Sequence, residues 1–147
     1  MALPNPTGHG SVECRQIAAN SVLLQAQGRV TRLAMSMQLE TFKNLLAGMR
    51  APSWIIDTSA LNDFEPGAVS VGADYFKRFK EAGGVKVVFV SGLGTARLAA
   101  FTIAFAAHLP LVPAQSLSEA YQLLGLAPVP NSDEGTKRGD SATARKA

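Results

Sequence analysis

One cysteine, one tryptophan and two histidines are all that the 147 residues contain of those types. A lone thiol, Cys14, excludes an internal disulfide and fits a reducing compartment, so the cytoplasm is the expected location. Two histidines, His9 and His108, and one cysteine, widely separated in sequence, make a catalytic triad or a zinc site hard to assemble. The reading is of no catalytic residues, no metal and no cofactor. Long apolar runs are lacking too. The richest, residues 98–109, contains His108 and falls well short of the ~20 residues that cross a bilayer. The first residues, Met-Ala-Leu-Pro-Asn-Pro, show no basic region leading into an apolar run, so no secretory signal is expected. Charge is sparse as well, at 17% of residues. A net charge of +3 and a pI of 9.3 raise the question of nucleic acid. Residues 1–127 answer it, because they hold ten Lys/Arg against eight Asp/Glu and no basic cluster with interleaved aromatics.

The chain has 47% hydrophobic residues, enough for the single core that its length allows. Residues 1–10 read as a flexible leader, residues 11–127 as one domain, and residues 128–147 as a disordered tail with almost nothing to bury. Two strands are predicted first, over residues 12–17 and 21–27. Asn20 in the turn between them suits a left-handed backbone, and Gly28 ends the second strand. Met35, Leu39, Phe42, Leu46 and Met49 recur at helical spacing, which predicts a helix over residues 32–49 with Thr31 as its N-cap. Methionines on such a stripe are core filler before they are a ligand pocket.

The stretch Ser53 to Gly67 organises the rest. Trp54-Ile55-Ile56 reads as a buried strand, Asp57 to Glu65 as a polar loop, and Pro66 as the first residue of a helix, where its missing N–H costs nothing. That helix, residues 66–82, has Val69, Gly72, Phe76 and Phe79 as its predicted seam. Asp74–Arg78 and Lys77–Glu81 stand at i,i+4 spacing on its outer face. Gly83-Gly84 ends it, and residues 85–90 form the strongest strand. Ser91-Gly92-Leu93-Gly94 then leads into an alanine-rich helix over residues 95–108. That loop has neither a Walker lysine nor a full dinucleotide fingerprint, so it reads as a tight turn. The helix itself, apolar all round, is expected to be buried against a sheet. Residues 111–114 make a short edge strand with Pro113, and Ser116 with Glu119 is a capping box opening a last helix over residues 117–124.

The resulting order is β-β-α-β-α-β-α-β-α, an α/β domain with a mostly parallel sheet and about four helices. It resembles the STAS domain, the module of bacterial anti-sigma factor antagonists. The resemblance rests on Gly28 after the second strand, Trp54-Ile55-Ile56-Asp57, a helix entered at Gly67, Gly83-Gly84 before the next strand, and Ser116 to Ala120 before Leu123-Leu124. It implies a non-enzymatic regulatory module with a regulatory protein, such as an anti-sigma factor or a kinase-like protein, as partner. No nucleic acid and no membrane span enter that reading. The partner-binding rim it implies comprises Asp57, Thr58, Ser59, Asn62, Asp63, Glu65, Pro66, Gly67 and Ser70.

The sequence departs from the family at its phosphorylation turn. Phe64-Glu65-Pro66-Gly67 stands where antagonists carry a serine that their partner kinase phosphorylates, and proline accepts no phosphate. Glu65 brings a fixed negative charge instead, so the resemblance implies a module without the serine switch. The alternative is a small-molecule or lipid binder, prompted by Leu98, Phe101, Ile103 and Phe105 on one helix.

Overall fold

A computed structural model of the chain describes residues 10–90 and 92–127. The leader through residue 9, Ser91 of the glycine turn and the tail from residue 128 lie outside them. Five strands and four helices follow in the expected order: β1 Ser11–Ala18, β2 Ser21–Val30, α1 Arg32–Leu46, β3 Ser53–Phe64, α2 Pro66–Glu81, β4 Lys86–Val90, α3 Gly94–Ala106, β5 Leu111–Ala114 and α4 Leu117–Leu123. They form one mixed sheet in the order β1-β2-β3-β4-β5. Only the β1–β2 pair is antiparallel; β2–β3, β3–β4 and β4–β5 are parallel.

The sheet separates two apolar layers. On one side, Val22, Leu24, Trp54, Ile56, Val87 and Phe89 meet α1, α2 and α3. Trp54 is the hub there, with ring centroids 4.7 Å from Phe42, 4.8 Å from Phe76 and 5.3 Å from Phe79. The Tyr75 hydroxyl, deep in this layer, donates to the Met35 carbonyl at 2.6 Å and so ties α2 to α1. On the other side, Leu23, Ile55, Val88 and Val90 are covered by Ala120 and Tyr121 of α4.

Most local signals read from sequence hold. Thr31 Oγ1 accepts from the Ala34 N–H and caps α1. Pro66 opens α2, and Gly83 follows it at φ 86°. Ser116 Oγ accepts from the Glu119 N–H, while the Glu119 carboxylate reaches back to the Gln115 N–H. The α1 stripe packs as predicted, although the helix ends at Leu46 and Gly48 leaves it at φ 88°.

Five readings are corrected. Gly28 does not end β2; it sits inside the strand at φ 70°, at one of two irregularities in the β2–β3 register. Asn20 does not take the left-handed backbone; its side chain accepts from the Arg50 N–H at 2.8 Å and anchors the loop before β3. The buried seam of α2 is Ala68, Val71, Tyr75, Phe76 and Phe79, with Val69 and Gly72 only half-buried. On its outer face Arg78 pairs with Glu81, three residues on, in place of the two i,i+4 pairs.

The fifth concerns α3, which is not buried all round. It rests on the sheet through Ala100 and Ala104, while Leu98 is 68% and Phe105 85% exposed. Small residues let its backbone approach the sheet, Ile103 packs against the core beside them, and Leu98 and Phe105 are left on the far side. Among the described residues no helix is long and apolar enough to cross a membrane.

Candidate functional site

The segment read as a polar loop is strand. β3 runs on from Asp57 to Phe64, and beyond Asp57, among the described residues, it pairs with β2 alone, because β4 stops at Val90. Between the Gln25–Asp57 and Gln27–Ala60 pairs, β3 carries one residue more than β2, and it carries another between Gly28–Leu61 and Arg29–Asp63. These two insertions are bulges, which bend a strand and re-aim its side chains. Gly28 lies opposite the second one, and its freedom to adopt positive φ accommodates the changed twist. Polar residues in this stretch made it look like a loop. Alternation in a bulged strand is broken, and period-two patterning fails there.

The bulges divide the rim residues into two groups. Asp57 and Thr58 point inward and are 6% and 4% exposed. Asp57 accepts from the Gln25 side-chain amide at 3.0 Å, the Ser59 N–H at 3.0 Å and the Ser59 hydroxyl at 2.7 Å. That set satisfies a buried carboxylate and holds the first bulge closed. Thr58 Oγ1 donates to the Val90 carbonyl at 2.9 Å, stitching the end of β4 to β3 where their ladder stops. A Cβ at Gly92 would lie 2.2 Å from the Thr58 carbonyl, so the turn into α3 passes there only as glycine.

Ser59, Asn62, Asp63, Pro66 and Ser70 face solvent, with Glu65 and Gly67 half-exposed. They gather where four element ends meet: the end of β2, the start of α1, the end of β3 and the start of α2. Glu65 organises the junction. One of its oxygens accepts from the Arg32 N–H at 2.8 Å, at the first turn of α1, and the other lies 3.6 Å from the Arg29 guanidinium. Arg29 also donates to Asp63 at 3.2 Å. An acidic group at a helix N-terminus interacts favourably with the dipole, here that of the neighbouring helix. Glu65 is thus a cross-helix cap as well as a surface charge. Arg29 and Arg32 complete the rim and were not among the residues read from sequence. A β2 arginine 34 residues from its aspartate has no local signal.

Among the described residues no three His, Cys, Asp or Glu side chains come together to hold a metal. His108 is exposed and follows α3 at φ 58°, as a helix-terminating residue. Cys14 is buried, and its thiol is pushed up to about 12, first by burial and then by the Glu13 carboxylate beside it.

No protein-family model matches the sequence, and no curated protein does. Solved structures do. The Bacillus cell fate determinant SpoIIAA in its phosphorylated form superposes with a TM-score of 0.62 at 12% identity, covering 78% of this chain and 99% of its own. The chain folds as a STAS-like domain. An anti-sigma factor antagonist from Mycobacterium paratuberculosis is similar at a TM-score of 0.55 and 17% identity, over 84% of this chain and 99% of that one. A Shewanella loihica protein with a SpoIIAA-like fold reaches 0.62 at 11% identity, over 84% and 99%. At these identities the likeness is one of fold. The STAS-like order of elements and the mostly parallel sheet were both expected from the sequence.

Proposed function

We propose that this STAS-like domain is a non-enzymatic regulatory module that binds a protein partner through the rim, constitutively and without a serine phospho-switch. One observation carries the reading: the first turn of α2, at the centre of the rim, is Pro66-Gly67 and holds no hydroxyl. The likeness to anti-sigma factor antagonists supports a regulatory partner, an anti-sigma factor or a kinase-like protein. SpoIIAA has been solved both phosphorylated and unphosphorylated. In this chain the nearby hydroxyls are placed otherwise. Thr58 is buried on the Val90 carbonyl, Ser59 is engaged with Asp57, and Ser70 lies a turn further along α2.

The rim offers a partner two kinds of contact. One is the edge of β3 beyond Thr58, unpaired by β4, the sort of edge that accepts an added strand. The other is the Arg29–Asp63–Glu65 cluster, whose charges fix orientation and on-rate more than affinity. Asp63 is the more exposed carboxylate, at 61% against 38% for Glu65. Charge reversal at Asp63 therefore tests partner contact with little effect on the fold. Reversal at Glu65 also removes the acceptor of the Arg32 N–H at the start of α1.

The test is capture of a partner from native lysate, followed by affinity measurements on Asp63→Lys and Pro66→Ser, with melting temperatures alongside. Asp63→Lys should weaken binding by about 1–2 kcal/mol at low salt, with the loss fading as salt screens it. Pro66→Ser should leave binding near wild type. Stoichiometric phosphate on Ser59 or Ser70 of protein purified from its own cells, or binding unaffected by Asp63→Lys at every salt concentration, would overturn the reading.

A further inference from the structure

Between the sheet and the helices α2 and α3 lies a cavity of about 110 Å³. Trp54, Ile56 and Phe89 of the sheet line it on one side, and on the helix side bulky groups such as Phe76 and Ile103 alternate with small ones, Gly72 on α2 and Ala99 on α3. Alanines bring the α3 backbone toward the sheet yet leave the space between the helices unfilled. A Cβ at Gly72 would meet nothing nearer than the Met35 methyl, 3.8 Å away.

The polar groups on the wall are few and mostly engaged. Thr58 Oγ1 donates to Val90 and the Tyr75 hydroxyl to Met35. The Trp54 N–H is buried and has no acceptor among the described residues. A buried water needs two to four polar partners, so water is poorly held here, whereas a dry apolar cavity of ~150 Å³ is large enough to take up benzene. The present one is somewhat smaller and of the same chemistry.

Access runs between the two helices. Val69, Gly72 and Ala99 line the cavity and are only half-buried, so its outer side is close to solvent. Leu93, at the N-cap position of α3, supplies no side-chain cap, and the helix's fully buried residues are two alanines, with Ile103 half-buried beside them, so few bulky contacts hold it against an outward shift.

We propose that this cavity is a binding site for a small hydrocarbon group of roughly six carbons, the size of benzene. The group is either a free molecule or the end of an acyl chain whose head stays outside, between α2 and α3. The site is independent of the partner reading: of the rim residues only Thr58, which faces inward, lines it, and the exposed rim residues do not.

Trp54 is the one tryptophan of the chain and lines the cavity, so its fluorescence reports occupancy. The full chain is titrated with 1-bromopentane, whose heavy atom quenches indole, with benzene as competitor and iodide as the control for access from bulk water. The expected result is saturable quenching by 1-bromopentane, reversed by benzene, with no quenching by iodide. Benzene should also raise the melting temperature of the wild-type protein. Ala99→Leu and, separately, Gly72→Val fill the cavity from its two walls. Each should weaken the quenching midpoint at least tenfold while melting cooperatively; if one fails to fold, the other carries the test. Leu98→Ser, on the outer face of α3, should leave the midpoint unchanged. Displacement of 1-bromopentane by decanoic acid supports the site with an acyl chain as its source, and failure to displace supports it with free small hydrocarbons. Linear, unsaturable quenching would overturn the proposal. So would loss of quenching in Leu98→Ser with both filled variants at wild-type affinity, since the ligand would then sit outside.

Discussion

Helices α2 and α3 each leave the end of a parallel strand and lie on the same side of the sheet, but they carry their bulk in opposite directions. α2 turns Tyr75, Phe76 and Phe79 inward around Trp54 and shows charged residues to solvent. α3 turns alanines inward and shows Leu98 and Phe105 outward. By total hydropathy α3 is the more apolar of the two, and it is the less well packed. A helix buries the face that lets it approach its neighbours, and size decides that as much as polarity does. The space left under α3 has an energetic side. A void of 110 Å³ forgoes about 2–3 kcal/mol of packing at the ~24 cal/mol per Å³ measured for engineered cavities. A ligand that occupied it would recover part of that.

The largest expected effect breaks the comparison at one residue type. Phe76→Ala should destabilise the domain by about 3–5 kcal/mol, since it empties a buried aromatic site against Trp54. Phe105→Ala, on α3 and 85% exposed, should change stability by no more than about 0.5 kcal/mol. Urea unfolding of both variants decides it. A cost above about 2 kcal/mol for Phe105→Ala would mean that the outer face of α3 is covered in solution.

A second, smaller effect sharpens the contrast through pH. The layer that α2 covers holds two titratable groups, Cys14 and Tyr75, both raised, chiefly by burial. The fold holds the Cys14 thiol protonated up to about 12, whereas the unfolded chain releases that proton near 9.0. Stability from this group is therefore fully present below pH 9.0 and is lost as pH climbs toward about 12. Unfolding free energies measured across that interval should fall, and Cys14→Val should blunt the fall. Tyr75 acts in the same direction, at higher pH.

The smallest effect lies at the boundary between the two helices. Gly72→Ala should stabilise the domain by about 0.5–1 kcal/mol, because alanine is the better helix former and its methyl enters open space beside Met35. A destabilising result would mean that α2 and α3 close over Gly72 in solution.

Much of the architecture was legible in advance, and the reason is local. Thr31, Pro66, Gly83 and the Ser116–Glu119 pair act through bonds to residues within one turn, so their meaning does not depend on the rest of the fold. The rim was proposed from sequence because a helix N-terminus after a central strand is where α/β sheets collect sites, and the structure shows which of its residues are exposed. Asp57 and Thr58 could not be placed. Whether a polar side chain in a strand faces in or out depends on register, and the two bulges in β3 reset it. Arg29 and Arg32 join the site through Asp63 and Glu65, more than 30 residues away in sequence.

By itself, then, the sequence determined the number and order of the elements, the mostly parallel sheet that alternating strands and helices require, and the absence of a serine at the start of α2. Caps, turns and hydrophobic periods are short-range signals, and short-range physics is enough to interpret them. Only the tertiary structure decided that residues 58–64 pair as a bulged strand, that the Glu65 carboxylate caps a different helix from the one it precedes, and that α3 faces the sheet with its smallest residues. Those outcomes are set by competition between distant surfaces for the same space. A residue's size, charge and periodicity say what it can pack against, and the neighbours that the fold supplies settle which of those contacts forms.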